Sequence, residues 1–420
     1  MVTAARGRWQ SWGALDKRVW QMAFARAVNT MGLSLVMSFL GIYIVETRGY
    51  PAWVYGIIAL VSNAGQSLTS AWAGNLSDRI GRKPVIVTTL YVRSVVIAAL
   101  GTLVVLDAPL WSLSVAMIAA SALRGCFEPV AYALVSDVCG NEQRIAAFGL
   151  QRIGTNIGWA VGPTLGGVLT LIVPYGVVFY FAAAGMIVAA VVAMQVVDPR
   201  PDAKQRAPAE RGVLRAALRE GMRDPLMSMI LWGTLLCALL ETQMFSTFAI
   251  YMTDELHFHK ADVGLLYSIN GAGALLLQVP ALVLIRRLGI NRILPWSSLL
   301  DAAAFALIGV GTSFGGAALA FFALTCAEVV FDPAHQAAIA ESADPTRAGR
   351  AFGIVSFVQM IGIAGAPLIG GLLFDIIGSH HLAMWGAIAL FGVGQTACFT
   401  VYVRRRRART GKIAGARAAA

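Results

Sequence analysis

The sequence predicts an all-α polytopic membrane protein: twelve transmembrane helices in two pseudo-symmetric six-helix bundles. Three observations predict it. Of 420 residues, 58% are hydrophobic and 13% charged, whereas an ordinary soluble domain carries about 25% charge. Uncharged runs such as Val95–Leu106 and Gly309–Thr325 recur along the whole chain, which means many spans rather than one. The basic residues, finally, gather in alternate loops. A bilayer absorbs this much apolar surface and a soluble core does not, so soluble enzymes and nucleic-acid-binding proteins are excluded.

A spanning helix needs about 20 mainly apolar residues. Between charged or Gly/Pro-marked breaks the first half yields helices at 18–46, 52–77, 84–106, 110–138, 145–170 and 174–197. The second half yields 226–253, 261–285, 293–312, 315–341, 350–374 and 381–403. With the N-terminus inside, 27 of the 33 Lys and Arg fall in cytoplasmic segments, and the outside loops hold only Arg48 and Lys260. That asymmetry places both termini in the cytoplasm. The net charge of +11 is therefore topology and anionic-lipid contact, not nucleic acid. The Arg404–Arg407 run fits headgroup phosphates as an anchoring tail. The first sixteen residues hold no short apolar run ending in a cleavage site. Five scattered Cys without a CxxC pair suggest neither a disulfide framework nor a zinc site.

The stretch 198–224 is the one long polar segment. It reads as a cytoplasmic linker between an N-terminal bundle (1–197) and a C-terminal bundle with a basic tail (225–420). The halves match. Phe127-Glu128-Pro129 returns as Phe331-Asp332-Pro333, and Ala147-Phe148-Gly149 as Ala351-Phe352-Gly353, both 204 residues later. From there one pattern runs twice: Gly149, Gly158, Gly162, Pro163, Gly166 and Gly167, then Gly353, Gly362, Ala366, Pro367, Gly370 and Gly371. Two homologous halves in the same orientation imply an axis along the membrane normal and a binding site at midplane between them.

The loop Gly74-x3-Asp78-Arg79-x-Gly81-Arg82-Lys83-Pro84 matches the signature loop of the major facilitator superfamily at every defined position. With twelve spans, a central linker and the Gly/Pro run of helix 5, the chain resembles the drug/proton antiporter branch of that superfamily. Leu123-Arg124-Gly125 with Glu128-Pro129, and Cys326-Ala327-Glu328 with Asp332-Pro333, are similar to segments of its bacterial multidrug exporters. The resemblance implies proton-coupled export of amphipathic or cationic small molecules by alternating access, across a bacterial inner membrane. It further implies that Asp78 meets helix 11 as a conformational latch and that Asp137 pairs with a loop arginine, Arg82. In the second half Arg286 replaces the Asp, so one latch is expected. Gly74 reads as a point of close helix approach. The helix-5 run is the antiporter motif by resemblance; as residues it reads equally as close helix packing with a kink at Pro163.

Ionisable groups inside a span mark a pathway or a pair. Here they are Arg26, Arg93, Arg124, Glu128, Arg152, Glu241, Asp301, Glu328 and Asp332. Arg93 and Asp301 stand at equivalent repeat positions on helices that are peripheral in this fold, which suggests a structural job. Glu328 is the expected first proton carrier, with Asp332 and Glu128 assisting, Arg124 tuning, and Glu241 a candidate exit-side site. Glu128 and Asp332 equally read as holding helix geometry before their prolines. Arg26 faces either a cavity or the helix-4 acid, and Arg152 adds positive charge. Asn29, Asn63, Gln66, Asn156, Trp159, Gln243, Phe245, Tyr267, Asn270 and Gln359 offer a polar and aromatic surface for varied ligands. Tyr43 and Phe357 belong to the same group. His335 with Met31 and Met37 lacks a third convergent ligand, so no metal is expected.

The leading expectation is thus a secondary transporter, taken as a monomer among membrane lipids, driven by the proton gradient without a cofactor. An exporter or flippase of a lipid or one anionic metabolite (a siderophore or sugar) keeps the same fold; Arg26 and Arg124 together suit an anionic headgroup. An importer is disfavoured by the helix-5 run. An intramembrane enzyme lacks any catalytic set, and no nucleotide-binding loop is present.

Overall fold

The computed structural model describes residues 15–139, 143–197, 213–342 and 348–418. Among them every regular element is helical. Helices occupy all twelve predicted ranges. They are α1 (Lys17–Ile42), α2 (Ala52–Ile80), α3 (Arg82–Val105), α4 (Leu110–Val138), α5 (Arg144–Leu169) and α6 (Tyr175–Met194). Then come α7 (Pro225–Glu241), α8 (Lys260–Leu288), α9 (Ile290–Ile308), α10 (Phe314–Ser342), α11 (Ala348–Ile377) and α12 (His381–Ala418). Nine of the described helices are long and apolar enough to cross a bilayer. The other three, α2, α5 and α9, dilute their apolar residues with Asn, Ser, Gln and Gly or with Asp301.

Two differences from the sequence reading have local causes. The span from Pro225 is not one smooth helix: after α7 come a 3-10 turn (Thr242–Phe245), one α-turn (Thr247–Ile250) and a π-turn (Tyr251–Glu255). The break lies where Gln243 takes backbone partners from a neighbouring helix. The predicted linker, moreover, is not irregular throughout. Residues 198–212 lie outside the described residues, but Val213–Arg223 form a helix packed on α7 and α11.

The chain divides into two compact units: residues 1–48, 57–208 and 258–271, and residues 49–56, 209–257 and 272–420. The short segments 49–56 and 258–271 thus join the unit opposite to their chain neighbours. Each unit has the same internal plan. In the first, α1 packs on α5 and α6, and α3 on α4 and α6; in the second, α7 packs on α11 and α12, and α9 on α10 and α12.

The repeat extends to caps and turns. Asp16 accepts from the Arg18 amide at 2.8 Å, and Asp224, 208 residues on, accepts from the Leu226 amide at 2.7 Å. Each carboxylate satisfies amides that a helix start leaves free. Outside the spans, the Arg18 guanidinium holds the Asp16 carboxyl below its ordinary range, against a smaller desolvation effect. Gly81 and Gly289, again 208 apart, precede α3 and α9 at φ 94° and 76°, a backbone that side chains resist. The π-turns Tyr43–Thr47 and Tyr251–Glu255 are a third matched pair.

Candidate functional site

In the first unit the charged residues find partners. Arg26 on α1 is 1% exposed, and its Nη1 donates to Glu128 Oε2 on α4 at 2.6 Å. Its guanidinium also lies 3.9 Å from the Tyr132 ring centroid, a cation–π contact. Of the two directions open to Arg26, the structure takes the helix-4 acid. Arg93 on α3 is fully buried and donates from Nη1 to Asn29 Oδ1 at 3.0 Å. Asn29, expected at a substrate surface, is 1% exposed and serves that arginine instead. Arg124 is half-buried, with its Nε unpartnered among the described residues.

The second unit holds acids. Glu241 on α7 interacts electrostatically with Asp301 on α9 and with Asp332 and Glu328 on α10. The thiol of Cys237 stands against Glu241. Asp301 is 2% exposed, and neither of its oxygens has a hydrogen-bond partner among the described residues; nor does Oε1 of Glu241. Residues 225–255, 261–285, 293–342 and 351–403 contain no Lys or Arg at all. An isolated buried carboxylate is expensive, which singles out Asp301 among the acids of these spans.

Sequence reasoning had set Asp301 aside as structural. A signal was present: counting 208 back from Cys237 and Asp301 gives Asn29 and Arg93, which pair. The second unit thus has an acid where the first has a bonded base.

The signature loop is built around Arg82, which is 5% exposed. It contacts Asp78 at 2.5 Å, Ser77 Oγ at 2.5 Å and Asp137 at 3.3 Å. The pairing implied for Asp137 is therefore present as geometry. Arg79 is exposed. Among the described residues, a Cβ on Gly74 would meet nothing within 4 Å.

The helix-5 glycines mostly pack. Gly158, Gly162 and Gly166 face the α1 backbone, where a Cβ on Gly158 would come 2.8 Å from the Met31 nitrogen. Gly167 sits against Lys260 and Ala261, while Gly149 is open. In the repeat, Gly362 meets α7, Gly370 meets Gln243 and Thr247, and Gly371 meets Ala52. Pro163 lies inside α5 as predicted, and its carbonyl lies close to Gly264. Thr164 Oγ1 donates to the Gly264 carbonyl at 2.7 Å.

The residues predicted for a ligand surface differ in burial. Gln243 is fully buried, donating to Ala366 O at 2.8 Å and accepting from Thr247 at 2.7 Å, so it pins α11 rather than lining a cavity. Tyr267 is 2% exposed. Asn63, Gln66, Asn156, Trp159 and Asn270 are half-buried, while Phe245, Phe357, Gln359 and Arg152 are exposed. Tyr43 is buried, its hydroxyl directed at Val104 O and Asp107. His335 bonds Thr234 Oγ1 at 2.8 Å and stacks on Phe331. One contact was missed altogether. Asp375, near the end of α11, accepts from the amides of Ala52 and Trp53 at 2.9 and 2.8 Å. Residues Gly49, Tyr50 and Pro51 offer α2 no capping side chain, so a distant acid supplies one.

A sequence profile of the Major Facilitator Superfamily matches residues 22–242 and 231–419. The chain belongs to the Major Facilitator Superfamily. It is 24% identical over 394 residues to the uncharacterized MFS-type transporter YqjV of Bacillus subtilis (strain 168), covering 91% of this chain and 94% of that one. It is 21% identical over 394 residues to the quinolone resistance protein NorA of Staphylococcus aureus, covering 90% and 95%. The crystal structure of the nucleoside transporter NupG (D323A mutant) shares the fold, with a TM-score of 0.77 at 14% identity over 92% of this chain and 100% of that one. This superfamily member is a bacterial membrane transporter rather than an enzyme.

Proposed function

We propose that this transporter couples inward proton flow to the export of amphipathic or cationic small molecules. The observation that carries the reading is the group of acids Glu241, Asp301, Glu328 and Asp332 on second-unit spans that carry no Lys or Arg, with the buried oxygens of Asp301 unpartnered among the described residues. Such a group carries its negative charge at high cost unless protonated. A change in its access to either side of the membrane then converts protonation into a conformational bias. Glu328 keeps its place in the relay, and Asp301 joins it. The likeness to a quinolone resistance protein supports export of a drug-like cargo. The alternative of an anionic cargo keeps Arg124 as its support, while Arg26 is engaged by Glu128.

The test is uptake of a fluorescent lipophilic cation into inside-out proteoliposomes under an imposed pH gradient. Gradient-dependent accumulation that fails in Glu328→Gln and in Asp301→Asn is the expected result. Accumulation that ignores the gradient, or survives both substitutions, would sink proton coupling through this group.

A further inference from the structure

A basic pocket and an apolar groove adjoin each other at the cytoplasmic end of the second unit. The pocket, about 560 Å³, lies between the end of α8, the start of α9 and the helical tail of α12. Arg286, Arg292, Arg406 and Arg407 line it, with Glu341 as the single acid. Arg406 is held there by Glu341 at 2.5 Å and by Asn291 Oδ1 at 2.9 Å. Arg286, Arg292 and Arg407 are exposed. Four guanidiniums against one carboxylate leave an excess of positive charge shaped for a phosphate, which arginine grips in a fork.

The groove, about 620 Å³, runs from there along α8, α9 and α10. Leu288 lines both cavities, so they adjoin at this residue. The groove wall is apolar, and its outer residues Leu284, Trp296 and Leu300 are 42%, 69% and 42% exposed. Side chains of this kind at the membrane face meet acyl chains, and an interfacial Trp marks headgroup depth. A free phosphate would use the pocket and leave the groove idle. A phospholipid uses both.

We propose that this composite is a binding site for one anionic phospholipid, its phosphate in the arginine pocket and an acyl chain in the α8–α9–α10 groove. The site is independent of cargo and coupling ion. It differs from general attraction of a basic tail to a charged surface, because three of its arginines flank a defined cavity and its lower half is uncharged. At the counterpart position of the first unit an acid, Asp78, stands where Arg286 stands, and it pairs with the neighbouring Arg82.

The experiment is native mass spectrometry of the full chain in detergent with phosphatidylglycerol, phosphatidylcholine or glycerol 3-phosphate. Phosphatidylglycerol should be retained roughly tenfold or more over phosphatidylcholine. The triple variant R286Q/R292Q/R407Q should lose that retention by a similar factor, while the charge-matched R287Q/R404Q/R409Q keeps it. Trp296→Gln with Leu300→Gln, both at exposed positions, should weaken retention of the lipid and leave glycerol 3-phosphate unaffected. Equal retention of the two lipids, or equal loss in both triple variants, would overturn the site. Competition by glycerol 3-phosphate at matched concentration would reassign the pocket to a free phosphate ester. Monodisperse elution of each variant shows that it folds.

Discussion

The two units share a plan and oppose each other in charge. At matched positions 208 residues apart, the first unit has Asn29 and Arg93, and the second Cys237 and Asp301; 204 apart, Arg124 and Glu128 correspond in sequence to Glu328 and Asp332. In the first unit Arg26 pairs with Glu128 and Arg93 donates one hydrogen bond to Asn29. The second brings Glu241, Asp301, Glu328 and Asp332 near one another and leaves Asp301 without a hydrogen bond among the described residues. One scaffold therefore supports a base held by a neighbouring amide in one half and, at the matched position, an acid with no hydrogen bond among the described residues in the other. The difference teaches that burial alone does not assign a role; the presence of a partner does.

The comparison breaks most visibly at the repeat pair Arg93 and Asp301. Asp301→Asn should cut gradient-driven transport by roughly tenfold or more, since it removes a titrating site from the acid group. Its thermal stability in detergent should hold or rise. Arg93→Gln should do the reverse, keeping the response to the gradient and losing about 1–3 kcal/mol with the hydrogen bond to Asn29. Loss of coupling in both variants would erase the distinction between the units.

The ion pair of the first unit gives the next effect. Arg26→Gln strands Glu128 and should cost about 3 kcal/mol in thermal unfolding. Adding Glu128→Gln should restore most of it, because no charge is then left unpaired. A double variant as unstable as the single would show that Arg26 acts through packing on Tyr132.

Glycine packing should treat the units alike. Gly162→Leu and Gly370→Leu each force a side chain into a neighbouring helix and should each cost about 1–3 kcal/mol. Gly149→Ala and Gly353→Ala, which meet open space, should stay within about 0.5 kcal/mol. The smallest effects lie at the helix starts. Asp16→Ala and Asp224→Ala should each lose about 1 kcal/mol of capping. Asp375→Asn should weaken the start of α2 by about 0.5–1 kcal/mol, measurable as faster amide exchange at Ala52 and Trp53.

Much of the fold was legible because a membrane imposes a simple rule. Backbone groups in hydrocarbon must be satisfied within the segment, so long apolar runs between polar breaks become helices. The duplicated Phe-Glu/Asp-Pro and Gly/Pro patterns revealed the two halves before any packing was known. The candidate site was legible only in its charges. The list of buried ions contained every group that matters, yet it did not say which of them touch. Gln243 and Asn29 read as ligand contacts because polar side chains in a span suggest a pathway; both are instead taken up by a neighbouring backbone carbonyl and a neighbouring guanidinium.

By itself, the sequence determined the helix ranges, the repeat and the superfamily, since each depends on composition or spacing along one chain. Only the tertiary structure decided that Arg26 belongs to Glu128, that Asp301 stands among acids and that Asp375 caps α2. These are matters of distance between side chains on different helices. A hydropathy pattern fixes which face a helix buries but not the rotation that chooses its partner.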